Sequence, residues 1–238
     1  MAHLARRRAL SLLVLALLTS MFVAGCGGAE KKKADEKTPA EVMTTAKKHF
    51  DDASSVHIVL STASTPSSGN GVLGASGDVT HDPAFEGDVK VVISGLTATV
   101  PITSVGGMVY AKLPLQTKSS VINPAEYGAP DPADFADPEN GLSGLLTKIE
   151  GLKKGAQKRS GDTIVTTYSG NLPGAAVKKI IPSASAKQTY ETSVGVDPKG
   201  YAKTVKVTGI FFSGNDDVTY DVKFDGYDKG VKITAPTA

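Results

Sequence analysis

The sequence predicts an α+β domain built on a curved antiparallel β-sheet with helices on its concave side, carried behind an N-terminal secretion signal. Three observations predict it. Apolar residues beyond position 54 mostly alternate with period two in short runs. Glycine and Asp-Pro turns join those runs through links too short for parallel crossovers. Three other segments, 38–53, 140–152 and 173–181, carry apolar residues at helical spacing instead.

Composition narrows the function classes. The 238 residues include 26 Lys and Arg against 24 Asp and Glu, one cysteine and no tryptophan. A single cysteine excludes an internal disulfide framework and any multi-thiolate metal site. A net charge of +2 makes no electrostatic case for nucleic acid. A hydrophobic fraction of 40% with balanced charge is globular, and the length fits one domain or at most two small ones.

The first residues are expected to lie outside the fold. Arg6, Arg7 and Arg8 precede the apolar run Ala9–Leu18, which is too short to span a bilayer and has the layout of a secretory signal. Val23-Ala24-Gly25-Cys26 follows and resembles a bacterial lipobox. That resemblance implies a diacylglyceryl group on the Cys26 thiol and cleavage between Gly25 and Cys26. Residues 1–25 are thus expected to be a lipoprotein signal peptide and 26–38 a lipidated, solvated tether, with the folded domain spanning 39–238. The signal holds three arginines and no acid, so the 213-residue mature chain has 23 basic and 24 acidic side chains, net −1. Anchoring through two or three acyl chains would hold it on the extracytoplasmic face of the cell membrane.

Order begins at Thr38-Pro39-Ala40-Glu41, where a threonine cap, proline at the first helical position and glutamate at the third start a helix. Val42, Ala46, His49, Phe50 and Ala53 form its apolar face. Strands are expected around Val56–Leu60, from Ala75 to His81, around Val89–Ile93, and over Leu96–Ile102, where Pro101 suggests an edge or a bulge. A helix is expected over Asn140–Leu152, carrying Leu142, Leu145, Leu146 and Ile149. Another is expected over Pro173–Ile181, stopped by Pro182. Tyr190–Val196 and Val218–Phe224 resume the alternation.

No catalytic constellation stands out. His49, His57 and His81 have no HxxxH or HExxH spacing. Gly69-Asn70-Gly71-Val72-Leu73-Gly74 matches GxGxxG, but no strand precedes it and no helix opens at its end, so it reads as a hairpin connection. GxSxG and SxxK are absent. Asp131, Asp134 and Asp137 do not follow an EF-hand pattern and read as a surface loop or a weak calcium site. No cofactor is implied.

The informative imbalance is between sheet and cover. Many strand faces carry Val, Ile, Thr and Ala, helices are few, and aromatics make up only 6%. Such a sheet either leaves an apolar cavity or has its concavity filled by the three helices, and composition does not choose. Period two places Ile58 and Leu60, then Val89, Val91 and Ile93, then Leu96, Ala98 and Val100 on the candidate inner wall. Val194 and Val196, Val205 and Val207, and Tyr220 complete it, although alternation does not say which face of a strand points inward.

The order of motifs resembles the LppX/LprA/LprF/LprG lipoproteins of mycobacteria and related actinobacteria. The resemblance starts with the lipobox, the tether, Glu41-Val42-Met43 … His49-Phe50 and Ser55-Val56-His57-Ile58. It is strongest in the second half: Asp137-Pro138-Glu139-Asn140-Gly141-Leu142, Gly161-Asp162, Gly170-Asn171-Leu172-Pro173 and Val194-Gly195-Val196-Asp197-Pro198-Lys199-Gly200. It covers essentially the whole chain and is greatest to the LprG branch. It implies a half-barrel of LolA/LolB-like shape with a hydrophobic cavity for di- or triacylated lipids or glycolipids, and no catalytic residues. The expected function is a membrane-anchored carrier that moves lipids across the cell envelope, with a lipid exporter as a possible partner. The alternative is an accessory, partner-binding lipoprotein with a filled core and no lipid cargo.

Overall fold

The computed structural model describes residues 37–65, 70–93, 95–114, 116–212 and 217–237. The signal segment and Cys26 lie outside them. From Lys37 onward the chain forms one compact unit.

Local chemistry at Thr38 starts helix α1 (Pro39–Asp52). Glu41 N–H donates to the Thr38 hydroxyl at 3.3 Å, and Thr38 N–H donates back to the Glu41 carboxylate at 2.7 Å, closing a capping box. Met43, Ala46 and Phe50 are its buried face. Phe50 meets Phe224 edge-on at 5.6 Å, and His49 stacks on Tyr201 at 4.2 Å, a structural role for that histidine.

Eleven antiparallel strands follow: β1 (Ser55–Thr62), β2 (Gly71–Thr80), β3 (Ala84–Ile93), β4 (Leu96–Val105), β5 (Met108–Ala111), β6 (Ser120–Ile122), β7 (Glu150–Ser160), β8 (Thr163–Pro173), β9 (Thr189–Val196), β10 (Ala202–Gly209) and β11 (Val218–Asp225). Their order in the sheet is β6-β5-β4-β3-β2-β1-β11-β10-β9-β8-β7. The chain therefore meanders outward from β1 to the β6 edge, then crosses to the opposite edge and meanders back until β11 pairs with β1. The crossing stretch, 123–149, carries two 3-10 turns (Pro124–Tyr127 and Pro132–Ala136) and helix α2 (Leu142–Leu146). Helix α3 (Gly174–Ile180) joins β8 to β9.

Laid flat, eleven strands would be roughly 50 Å wide. Yet residues from β1 to β5 and from β8 to β11 join one buried cluster. The sheet is curled into a half-barrel whose inner face receives the helices. The β7 edge is protected in two ways: it carries Lys153, Lys154, Lys158 and Arg159, and it is broken by two register shifts.

Cross-strand register defines the inner rows. Leu60 stands opposite Val222 on one side and Ala75 on the other, and the row continues through Val89 and Val100. The next row reads Ile58, Gly77, Gly87 and Ile102. The two adjacent glycines leave a trough, and Phe85 fills it. A Cβ on Gly77 would lie 2.6 Å from Phe85 Cζ.

Three expectations need correction. The helix predicted over Asn140–Leu152 is only Leu142–Leu146 long. Gly151 takes φ +63°, and the chain from Glu150 is strand β7, so Leu152 belongs to a sheet edge. Pro101 does not make β4 an edge strand, since β4 pairs with β3 along its length. It stands where the shorter ladder with β5 ends, past Ile102↔Ala111, and its missing N–H costs no ladder bond there. Gly71–Gly74 of the GxGxxG match is the start of β2, with a bulge between Val72 and Gly74.

Two variants test this packing. Thr38→Ala should lower stability by about 1 kcal/mol in urea unfolding. Thr38 holds the Glu41 carboxyl below its usual value through its N–H and its hydroxyl; the hydroxyl's share, which Thr38→Ala removes, is present above the ordinary glutamate range and lost as pH falls through the depressed one. A Thr38→Ala effect equally large at pH 2 and pH 7 contradicts the capping box. Gly77→Ala should cost roughly 1–3 kcal/mol by overpacking against Phe85 and the Glu86 carbonyl; a neutral substitution contradicts the trough.

Candidate functional site: an apolar hollow in two lobes

The cover does not fill the concavity. Between sheet and helices lies a first lobe of about 1180 Å³, its open mouth included. The sheet contributes Ile58, Leu60, Val205, Val207, Val222 and Phe224; α2 and the turn after it contribute Leu142, Leu145, Leu146 and Ile149; Val177, Ile180 and Ile181 come from α3 and its end. A second lobe of about 770 Å³ lies between β2–β5 and the stretch 113–135, and includes Val89, Val91, Ile93, Val100, Ile102 and Ile122. Both figures count space out to open solvent; the volume through which the centre of a water-sized sphere can move is about 100 Å³ in the first lobe and 110 Å³ in the second, so the lobes are narrow. Most of the space runs close against the walls, so each lobe is a slot.

No charged side chain lines either lobe among the described residues. Two of the polar side chains at the walls, Tyr220 and Thr192, are satisfied internally. The Tyr220 hydroxyl donates to the Val72 carbonyl at 2.6 Å, and burial pushes its pKa up, which keeps it neutral. Thr192 donates to the Tyr190 carbonyl at 3.2 Å. The buried Ser104 hydroxyl donates to Asp131. A wall so poor in polar groups holds hydrocarbon without competing for water.

The cover is stitched piecewise. Ser143 of α2 donates to Asp51 of α1. Lys179 of α3 reaches Asn140 at 2.7 Å, just before α2. Over β2 to β4 the cover is the 3-10 turn Pro132–Ala136 rather than a longer helix, and Val89, Val91 and Ile93 of β3, with Leu60 of β1, are only half-buried although they face inward. Inward-facing aliphatic residues that remain partly wet are the signature of an incompletely covered wall.

Of the thirteen wall residues expected from periodicity, Ile58, Leu60, Val205, Val207 and Tyr220 border the first lobe. Leu60, Val89, Val91, Ile93 and Val100 border the second. Val194 and Val196 also face inward, but they are buried in the packed core and reach neither lobe. Ala98 stands opposite Val91 and packs against the core without bordering a lobe. Leu96 is the clear departure: its register opposite Ile93 is inward, but it sits at the hairpin end beyond any cover and is 76% exposed. The apolar faces of α2 and α3 were legible as helical stripes, yet nothing in the sequence says that they stand off from the sheet. Phe135 and Pro130, in the Asp-Pro-rich loop, carried no periodic signal at all.

The outer face holds one arrangement with catalytic geometry. His57 Nδ1 lies 2.9 Å from Asp78 Oδ1, and Ser76 Oγ lies 3.3 Å from His57 Nε2. These are triad distances. However, all three residues stand on ladder positions of β1 and β2, whose amides are committed to strand pairing, so the neighbouring backbone offers no oxyanion donors. Neither lobe reaches them. The acidic loop also has structural duties. Asp131 caps the second 3-10 turn by accepting Ala133 N–H at 2.9 Å. Asp137 accepts the Asn140 and Glu139 amides, which hold its carboxyl below the usual range. Among the described residues no cluster of His, Cys, Asp and Glu is placed to hold a metal, and no helix is long and apolar enough to cross a membrane.

This architecture has solved counterparts. LprF from Mycobacterium bovis superposes with a TM-score of 0.68 at 16% identity, over 84% of this chain and 97% of that one. LppX from Mycobacterium tuberculosis superposes with 0.61 at 16% identity, over 82% and 98%. In sequence, the chain is 26% identical to the lipoarabinomannan carrier protein LprG of Mycolicibacterium hassiacum across 96% of this chain and 98% of that protein. It is 25% identical to the protein of the same name in Mycobacterium leprae across 97% and 96%. A family model, LppX_LprAFG lipoprotein, matches residues 38–234, which takes in the whole half-barrel and its cover, and so the chain belongs to the LppX/LprA/LprF/LprG lipoprotein family.

Proposed function

We propose that this protein is a carrier that binds acylated lipids or glycolipids in its apolar hollow and transfers them across the cell envelope, anchored to the membrane through acylated Cys26. The observation that carries the reading is the two-lobed hollow, lined almost wholly by apolar side chains and by no charged one among the described residues. Membership of a lipoprotein family and two relatives named lipoarabinomannan carriers support it.

The energetics fit reversible carriage. A diacyl lipid in water exposes about 28 methylenes, at ~0.8 kcal/mol each roughly 22 kcal/mol. A dry hollow offsets most of that cost. Bilayer and hollow are both apolar, so the net preference between them is small and cargo can leave again. Transfer in this reading consists of desolvation and release, with no covalent step. Cys26 at the end of a short tether keeps the hollow near the membrane, and a lipid exporter is the partner that would load or receive cargo.

Ala75 is the residue with which to test the reading, because it is small, faces inward and borders both lobes. Ala75→Trp should fill the hollow and slow transfer of a fluorescent diacyl lipid between vesicles at least tenfold. Circular dichroism and the unfolding midpoint should stay near those of the unsubstituted protein. Unchanged transfer by a folded Ala75→Trp protein contradicts carriage in this hollow.

A further inference from the structure

The two lobes meet at a waist. Six residues border both: Leu60, Val72, Ala75 and Phe85 from the sheet, and Pro130 and Phe135 from the crossing stretch. The sheet side is tightly packed. Phe85 is 1% exposed and lies in the Gly77–Gly87 trough, where no other side chain would leave it room. The roof side is a separate piece. Phe135 is half-buried on the 3-10 turn Pro132–Ala136, which packs on the sheet through buried Pro132 and Ala133 and is tied to β4 by a hydrogen-bonded strut. The strut is Asp131, which caps the turn through Ala133 N–H and accepts the buried Ser104 hydroxyl of β4.

The geometry points to Phe135 as the residue that sets how many hydrocarbon chains a cargo molecule can place in the hollow, one in each lobe on either side of the waist. This rests on the carrier reading and deepens it. Two slots separated by a constriction accept a lipid whose two chains diverge from one junction. A third chain has to share a slot, and with Phe135 in place neither slot can widen into the other. The charge-free lining means that chain number and bulk, rather than head-group contacts inside the lobes, carry the discrimination. Phe135 is a specificity residue in this account, and Ser104 and Asp131 are positioning residues that act through it.

The test compares dioleoylglycerol with trioleoylglycerol as competitors of a bound fluorescent fatty acid. In Phe135→Ala the affinity ratio, diacyl over triacyl, should fall at least fivefold relative to the unsubstituted protein, as the lobes merge. Ser104→Ala keeps Phe135 but releases its strut, so the ratio should fall in the same direction by about twofold; it also provides a reading should Phe135→Ala not fold. Leu145→Ala, which enlarges the first lobe away from the waist, should change both affinities while holding the ratio within twofold. A ratio unchanged in Phe135→Ala or, failing its folding, in Ser104→Ala overturns the partition and leaves the carrier reading intact. Failure of the unsubstituted protein to bind either lipid overturns the carrier reading itself, and the partition with it.

Discussion

An antiparallel sheet with one apolar face has to hide that face from water, and here eleven strands share three short helices and two 3-10 turns for the purpose. Everything else in the molecule follows from that shortage. The sheet curls, so that its inner rows partly cover one another. The chain crosses from one edge to the other over the inner face, laying its turns and α2 across the opening. Even so, aliphatic residues on β1 and β3 remain half-wet, and the space between wall and cover stays unfilled. A protein that needed only stability would place larger side chains there. Instead the central row runs through Ala75 and Val89.

The treatment of polar groups agrees with this. The phenol of Tyr220 and the hydroxyls of Thr192 and Ser104 are each spent on a carbonyl or carboxylate of the protein itself. The buried hydroxyl of Ser55, at the start of β1, finds no partner and lies away from both lobes. Binding in such a space is driven by removal of hydrocarbon from water, which is strong against water and nearly neutral against a membrane. That is the physical difference between a carrier and a tight receptor. The Ser76–His57–Asp78 set illustrates the complement: triad distances on the outer face of a paired sheet, without a pocket or oxyanion donors, make a hydrogen-bonded surface patch.

Much of this was legible in the sequence. Alternation grouped the residues that share a face on β1, β3, β10 and β11 without saying which face is inner, because a half-buried strand must alternate and its turns were marked by glycine and Asp-Pro. The capping box named the start of α1. Failures came where local pattern and tertiary placement separate. Leu152 looked helical by spacing, but Gly151 at positive φ put it in an edge strand. Leu96 alternated faithfully and still ended in solvent, since alternation gives the face of a strand and not how far the cover extends. Val194 and Val196 faced inward onto packed neighbours. Phe135 sits in irregular backbone, where periodicity says nothing, and only the fold brings it over Phe85's end of the sheet.

The central claim is that the hollow is a hydrocarbon site and not a packing flaw. Mass spectrometry of the folded, non-acylated protein purified without detergent, paired with analysis of its organic extract, tests this most directly. The account predicts bound acylated lipid at close to one molecule per protein, released on unfolding. A bare protein mass with no stoichiometric lipid in the extract would contradict it.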